Sequence, residues 1–247
     1  MAGAYLIIGT PGSGRREVLF NLISEGMEET ESCDVFIAAT EPDSPYDEQL
    51  AALTNVDLIG WDSTDANQAP SPGENSTVFF LLDTSRDFRD QLEGFKGWLE
   101  AYRLELSRVM VVVDCQLAEA QPALAPWFEA AIHFADAVLL NRRENVSNKW
   151  IRNFQLDFEK RHFPCLFAMV KKGKLDQPLT LLDTEPRRIS HLFDEADIIE
   201  DMNWDEEELP DEPVDLAPQS DPYLVRLPSG QYEISLPLVS DYLPKEE

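Results

Sequence analysis

The chain is short of positive charge, of cysteine and of long apolar runs, and each shortage narrows what it can be. Its 247 residues carry 20 Lys+Arg against 47 Asp+Glu, a formal charge of −27. No broad basic footprint for a phosphate backbone or an anionic lipid surface is available, so neither nucleic acid nor a membrane is an expected partner. The three cysteines, Cys33, Cys115 and Cys165, are odd in number and far apart, which excludes a disulfide framework and a CxxC metal site. No apolar run reaches the 18 or so residues of a spanning helix, and the start MAGAYLIIGTPGSG lacks the basic and long apolar regions of a secretory leader. A cytoplasmic protein is the expectation.

What is present is 43% hydrophobic residues, enough for one large α/β domain. Charge divides the chain: residues 183–247 hold 19 acidic and 4 basic residues, a net of −15, and residues 1–182 a net of −12. The segmentation expected is therefore an α/β domain over 1–182, an acidic and proline-rich segment over 183–222, and a β-hairpin with tail over 223–247. The middle segment repels itself and buries little, so flexibility is expected of it. Two β-like runs around Pro228-Ser229-Gly230 suggest the hairpin.

Seven short apolar runs punctuate the first part, at 4–9, 34–39, 55–60, 77–83, 108–114, 136–141 and 164–169. Most are continuous rather than alternating, the pattern of parallel strands covered on both faces. Helical spacing lies between them: Leu92, Phe95, Leu99 and Tyr102 within 86–106, and Trp150, Phe154 and Phe158 within 146–161. Strand alternating with helix predicts an α/β fold with a doubly wound, mostly parallel sheet, with ligands beyond the carboxyl ends of the strands.

The first run ends in Gly9-Thr10-Pro11-Gly12-Ser13-Gly14-Arg15-Arg16, followed at once by a helical segment. The pattern GxxxxGK[ST] needs glycines so that backbone amides can turn around an anion, and a helix N-terminus behind them. Gly9 and Gly14 have that spacing, and Gly12 adds a position able to take positive φ. Arg15 stands where Lys is usual and Arg16 where Ser or Thr is usual. Arg15 keeps a cation beside the phosphates in a different shape. Arg16 removes the hydroxyl that would ligate Mg²⁺, so metal-assisted phosphoryl transfer is not expected. On the loop alone, a glycine-rich turn that binds nothing remains an alternative, and so does an acidic C-terminal segment folded over Arg15 and Arg16, its acidic side chains occupying the anion site.

Further on, Val109-Met110-Val111-Val112-Val113-Asp114-Cys115 and Ala131-Ile132-His133-Phe134-Ala135-Asp136-Ala137-Val138-Leu139-Leu140-Asn141-Arg142-Arg143-Glu144 resemble, in order and spacing, the corresponding strands of CobW-like metallochaperone GTPases. Val78–Ser85 resembles that family's Walker B strand. The resemblance covers about residues 4–170 and implies a GTPase core binding GTP or GDP. It implies a sheet of the phosphate-loop NTPase type in which Asp83, ending the Walker B strand on the ligand side, is the catalytic-site residue that would support a metal from just outside its ligands. It also implies that Asn141, Arg142 and Glu144 meet the purine base in place of N-K-x-D. Arg142 would stack on the ring, and Glu144, one methylene longer than Asp, would accept from guanine. The family's CxCC cluster is missing from residues 60–77, so no zinc site is expected, and its usual C-terminal domain is not recognisable in 175–247. Asp114 reads equally well as a helix cap, and Arg86 and Arg89, close after Asp83, are read as residues of an exposed helix start, with reach to a phosphate as the alternative.

The expected function is thus purine-nucleotide or phosphate binding with slow or no hydrolysis, a weak GTPase at most. The alternative is a pseudo-GTPase that acts as an interaction module, its acidic segment 200–222 engaging a basic protein partner through DEEELPDEP with Trp204, Leu209 and Val214. A small-molecule kinase ranks last, for want of lid arginines.

Overall fold

A computed structural model describes residues 3–194 and 220–243. Fifteen elements follow in chain order. They are β1 (Gly3–Gly9), α1 (Arg15–Gly26), β2 (Cys33–Ala38), α2 (Pro45–Ala51), β3 (Val56–Trp61), β4 (Thr77–Leu81), α3 (Phe88–Tyr102) and β5 (Glu105–Asp114). After these come α4 (Cys115–Ala120), α5 (Ala125–His133), β6 (Ala137–Asn141), α6 (Asn148–Lys160), β7 (Leu166–Lys171), β8 (Lys174–Leu175) and α7 (Pro178–Leu182). All seven apolar runs are strands, and both segments with helical spacing are helices.

The strands form one sheet in the order β3-β2-β4-β1-β5-β6-β7-β8. Every pair is parallel except β7 with the two-residue β8. β1 lies in the interior, hydrogen-bonded to β4 on one side and β5 on the other. The continuous apolar strands are explained by helices on both faces. On one face Tyr5, Ile7, Phe79, Leu81 and Val112 pack with Val18, Leu19 and Leu22 of α1. On the other, Phe36 and Phe80 stack, and Phe95 and Trp98 of α3 close over them at centroid distances of 4.8–5.5 Å. The architecture is the doubly wound α/β fold expected, with the carboxyl ends of β1, β4, β5 and β6 gathered at one rim.

Helix starts follow local chemistry. Ser44 and Asp47 make a capping box for α2, with Pro45 in its first turn, while Asp87 and Ser147 cap α3 and α6. α1 has no side-chain cap; Gly14 precedes it in the left-handed region.

Two compact units are present, Met1–Ile189 with Leu236–Glu247, and Ser190–Ser235. Composition places a boundary at 182, yet residues 183–189 still pack on the sheet unit. There the Arg187 amide donates to Asp136 Oδ1 at 2.6 Å and the Ile189 amide to the His133 carbonyl at 3.3 Å. In the second unit an isolated bridge pairs Arg226 with Tyr232 around the Pro228-Ser229-Gly230 turn, within the hairpin expected there. Most of the acidic segment, residues 195–219, lies outside the described residues. No helix among the described residues is long and apolar enough to cross a membrane.

Candidate phosphate-binding site

The chain leaves β1 at Gly9 and turns through Thr10–Gly14 into α1. Gly12 has φ +77° and Gly14 φ +84°, conformations that cost a residue with a Cβ. The Ser13 amide closes the turn on the Thr10 carbonyl at 3.1 Å, and the first helical bond runs from the Val18 amide to the Gly14 carbonyl at 3.0 Å. The amides of Arg15, Arg16 and Glu17 therefore stand at an uncapped helix start, where the partial positive charge of the helix is concentrated. Ser13 Oγ and Thr10 Oγ1 are buried without a hydrogen-bond partner among the described residues. These residues wall a cavity of about 380 Å³ whose rim is completed by Glu41–Tyr46, Thr84 and Arg142.

The glycines also admit neighbours. A Cβ on Gly9 would lie 2.8 Å from the Val112 carbonyl oxygen and from Ser13 Oγ, and one on Gly14 only 2.4 Å from Asn141 Nδ2. Through that space Asn141 Nδ2 donates to the Ser13 carbonyl at 2.8 Å and Arg142 Nε to the Gly12 carbonyl at 3.2 Å. Arg142 Nη1 also pairs with Glu17 Oε2 at 3.0 Å, and Glu17 Oε1 accepts from the Tyr46 hydroxyl at 2.9 Å. The structure thus brings Asn141 and Arg142 onto the loop as braces. Glu144 is exposed, and its carbonyl accepts from Gln116 Nε2 at 2.6 Å.

Arg15 and Arg16 are buried. Arg15 donates through Nη1 to the Leu82 carbonyl and pairs through Nη2 with Glu41 Oε1. Arg16 donates through Nη1 to the Pro42 carbonyl at 2.9 Å and to Asp47 Oδ2 at 2.6 Å, and through Nη2 to Glu41 Oε2 at 3.2 Å. Among the described residues the acidic side chains that meet the two arginines are Glu41, in the β2–α2 connection, and Asp47, in the first turn of α2; the acidic segment expected there lies mostly outside the described residues. Glu41 and Asp47 escape a local reading because they lie 26 and 31 positions from their partners in the chain. The signal that was available is the box Ser44-x-x-Asp47, which announces α2 and with it a carboxylate at its first turn.

Asp83 follows β4 and is 3% exposed. Oδ2 accepts from Thr40 Oγ1 at 2.7 Å, and Oδ1 from the Ser85 amide at 2.8 Å and hydroxyl at 2.7 Å. Burial pushes its carboxyl up, but the hydroxyls of Ser63, Ser85 and Thr40 and the Ser85 amide outweigh it and hold the group below the usual carboxylate range. Arg86 approaches Asp83 at 3.9 Å, and Arg89 is buried against Asp87 at 2.6 Å. Asp114 caps α4 by accepting from the Leu117 amide at 2.9 Å, and burial raises its carboxyl. Among the described residues no group of three or more His, Cys, Asp and Glu is gathered as a metal site would be.

No protein-family model matches the chain, and comparison with curated proteins gives no relative. Solved structures give distant likenesses. The cell division protein FtsY of Thermotoga maritima is 14% identical, with a TM-score of 0.47 over 74% of this chain and 67% of that one. The signal recognition particle receptor FtsY of Elizabethkingia anophelis, in complex with GDP, is 12% identical, with a TM-score of 0.47 over 79% and 65%. The Zn(II)-bound YjiA GTPase of E. coli is 14% identical, with a TM-score of 0.44 over 75% and 66%. The chain spans about two thirds of the length of each. These TM-scores lie below 0.5, and the doubly wound arrangement is established by the strand order itself.

Proposed function

We propose that the protein binds a purine nucleotide, GTP or GDP by its CobW-like resemblance, with the phosphates at Gly9–Arg16, and hydrolyses it slowly or not at all. The observation that carries this reading is the uncapped start of α1 behind two positive-φ glycines, with the buried hydroxyls of Thr10 and Ser13 unpartnered beside it. Three open amides and two free hydroxyls are the donor set an anion needs. The position of an interior strand's carboxyl end supports the same reading.

The residues present do not fit a resident Mg²⁺. The position of its hydroxyl ligand carries the Arg16 guanidinium, and the oxygens of Asp83 are taken up by hydroxyl and amide donors. Slow or absent turnover follows, because neither the metal nor Asp83 is placed to activate an attacking group. Asn141 and Arg142 serve the loop, which leaves Glu144 as the group of the base motif free to read a ligand.

Isothermal titration with GTP, GDP, ATP and ADP, with Mg²⁺ and with EDTA, tests the proposal. Guanine nucleotides should bind with Kd below about 1 mM, EDTA should leave affinity unchanged, and phosphate release should stay at background. Absence of heat at millimolar ligand overturns it.

The pseudo-GTPase reading is favoured by one observation, the internal satisfaction of Arg15 and Arg16, which lets the loop hold its form without a nucleotide. On that reading, deleting 200–222, of which 200–219 lie outside the described residues, removes a basic partner from the set that co-purifies with the chain. An unchanged set refutes it.

A further inference from the structure

Glu41 stands in the irregular turn between β2 and α2, and its side chain is 7% exposed. Its carboxylate takes Arg15 on Oε1 and Arg16 on Oε2, and Oε1 also accepts from the Thr84 amide at 3.2 Å in the turn after β4. Two guanidinium groups and a backbone amide, converging at the mouth of a glycine loop, are the donors a phosphoryl group recruits. Here they converge on a carboxylate of the chain itself.

Every terminal nitrogen of the two arginines already has an acceptor. Around the cavity Arg15, Arg16 and Arg142 are balanced by Glu17, Glu41 and Asp43, so no net positive charge remains to draw in an anion. A pyrophosphate group entering beside Glu41 would set like charges a few ångströms apart in a partly desolvated place. The guanidinium groups cannot serve both.

We propose that Glu41 is a built-in competing anion, which holds the arginine pair in the free protein and which a phosphate-bearing ligand must displace, with the Glu41 side chain acting as the latch. This regulation rests on the phosphate-binding reading above. The two arginines then have different fates. Arg16 keeps Asp47 at 2.6 Å when Glu41 leaves, and Asp47 stays fixed by accepting from the Ser44 amide at 2.8 Å. Arg15 keeps only the neutral Leu82 carbonyl. The cation released to the ligand is therefore Arg15, and Arg16 remains a strut between α1 and α2.

The test is titration of metal-free protein with inorganic pyrophosphate and with GDP, comparing the natural chain with Glu41→Gln. Glutamine keeps the size and an acceptor for the Thr84 amide, and removes the charge. Affinity should rise about 5- to 150-fold, the size of a typical coupling free energy of about 1–3 kcal/mol. Adding Arg15→Gln should abolish the gain. In the natural chain, pyrophosphate should also speed exchange of the Thr84 amide hydrogen as its acceptor departs. Equal affinity for the two proteins, or weaker binding by folded Glu41→Gln, overturns the latch while leaving the anion site standing. No binding by either protein removes both the latch and the phosphate-binding reading. If Glu41→Gln does not fold, Glu41→Asp is one methylene too short to span both arginines and should give a smaller gain in the same direction. Unchanged or lower affinity of that variant overturns the latch equally.

Discussion

Gly14→Ala isolates how the loop is built, with Gly12→Ala as its control. Both glycines have positive φ, +84° and +77°, so each alanine costs about 1–2 kcal/mol for the left-handed conformation. The surroundings differ. A Cβ at position 12 meets nothing within 4 Å, whereas one at position 14 lies 2.4 Å from Asn141 Nδ2 and 3.0 Å from Arg142 Nη2. Arg142 is half-exposed and can swing aside; Asn141 is 3% exposed and cannot. Pushing it off the Ser13 carbonyl leaves a buried donor unsatisfied, at about 1–3 kcal/mol. Gly14→Ala should therefore lose about 2–5 kcal/mol and Gly12→Ala about 1–2 kcal/mol, so that the difference reports the Asn141 brace. Urea unfolding followed by tryptophan fluorescence measures both, and an unchanged dependence on urea shows that only stability moved. Equal losses in the two variants would refute the role given to Asn141.

Two further outcomes follow from buried groups. Asp83→Asn should cost about 1.5–3 kcal/mol at neutral pH, where the carboxylate accepts several hydrogen bonds. Because the folded group titrates below its ordinary value of 3.8, that advantage is present above pH 3.8 and fades as pH falls through the lower, folded value. The gap between variant and natural chain should accordingly narrow in acid, and a gap independent of pH would contradict the network described. All three cysteines are buried and free, and burial pushes Cys115 and Cys165 up to about 12 and Cys33 higher still. Iodoacetamide at pH 8 should label none of them in the folded protein and all three in urea, read by mass; rapid labelling of the native chain would refute their placement.

The sheet was legible because its signal is local: a strand covered on both faces reads as an unbroken apolar run wherever it stands. The glycines at 9, 12 and 14 were legible for a similar reason, since a tight turn into a helix asks for them by position. Asp114 was recognisable as a cap from its place at the end of β5. The partners of Arg15 and Arg16 were not, for the pairing with Glu41 and Asp47 exists only once β2 and α2 are laid beside α1. Asn141 and Arg142 show another limit. Their residue types suit base recognition, but the short path to the Gly12 and Ser13 carbonyls across the rim gives their donors nearer acceptors. The short elements β8 and α7 carry too few residues for any period to register.

At the opposite end of β5, the completely buried Arg108 donates to the carbonyls of Thr180 at 2.9 Å and Glu185 at 3.2 Å, and Asp136, with no exposure at all, receives the Arg187 amide and the Arg188 side chain. The seven residues after Leu182 thus clasp two charges the sheet could not otherwise bury. Trimming the gene where the acidic texture begins would strip that clasp and leave Asp136 facing the interior without its cation, a loss of about 3–5 kcal/mol. A chain that keeps residues 183–189 would hold the clasp, so the seam that composition draws falls seven residues short of where the sheet unit's first stretch ends.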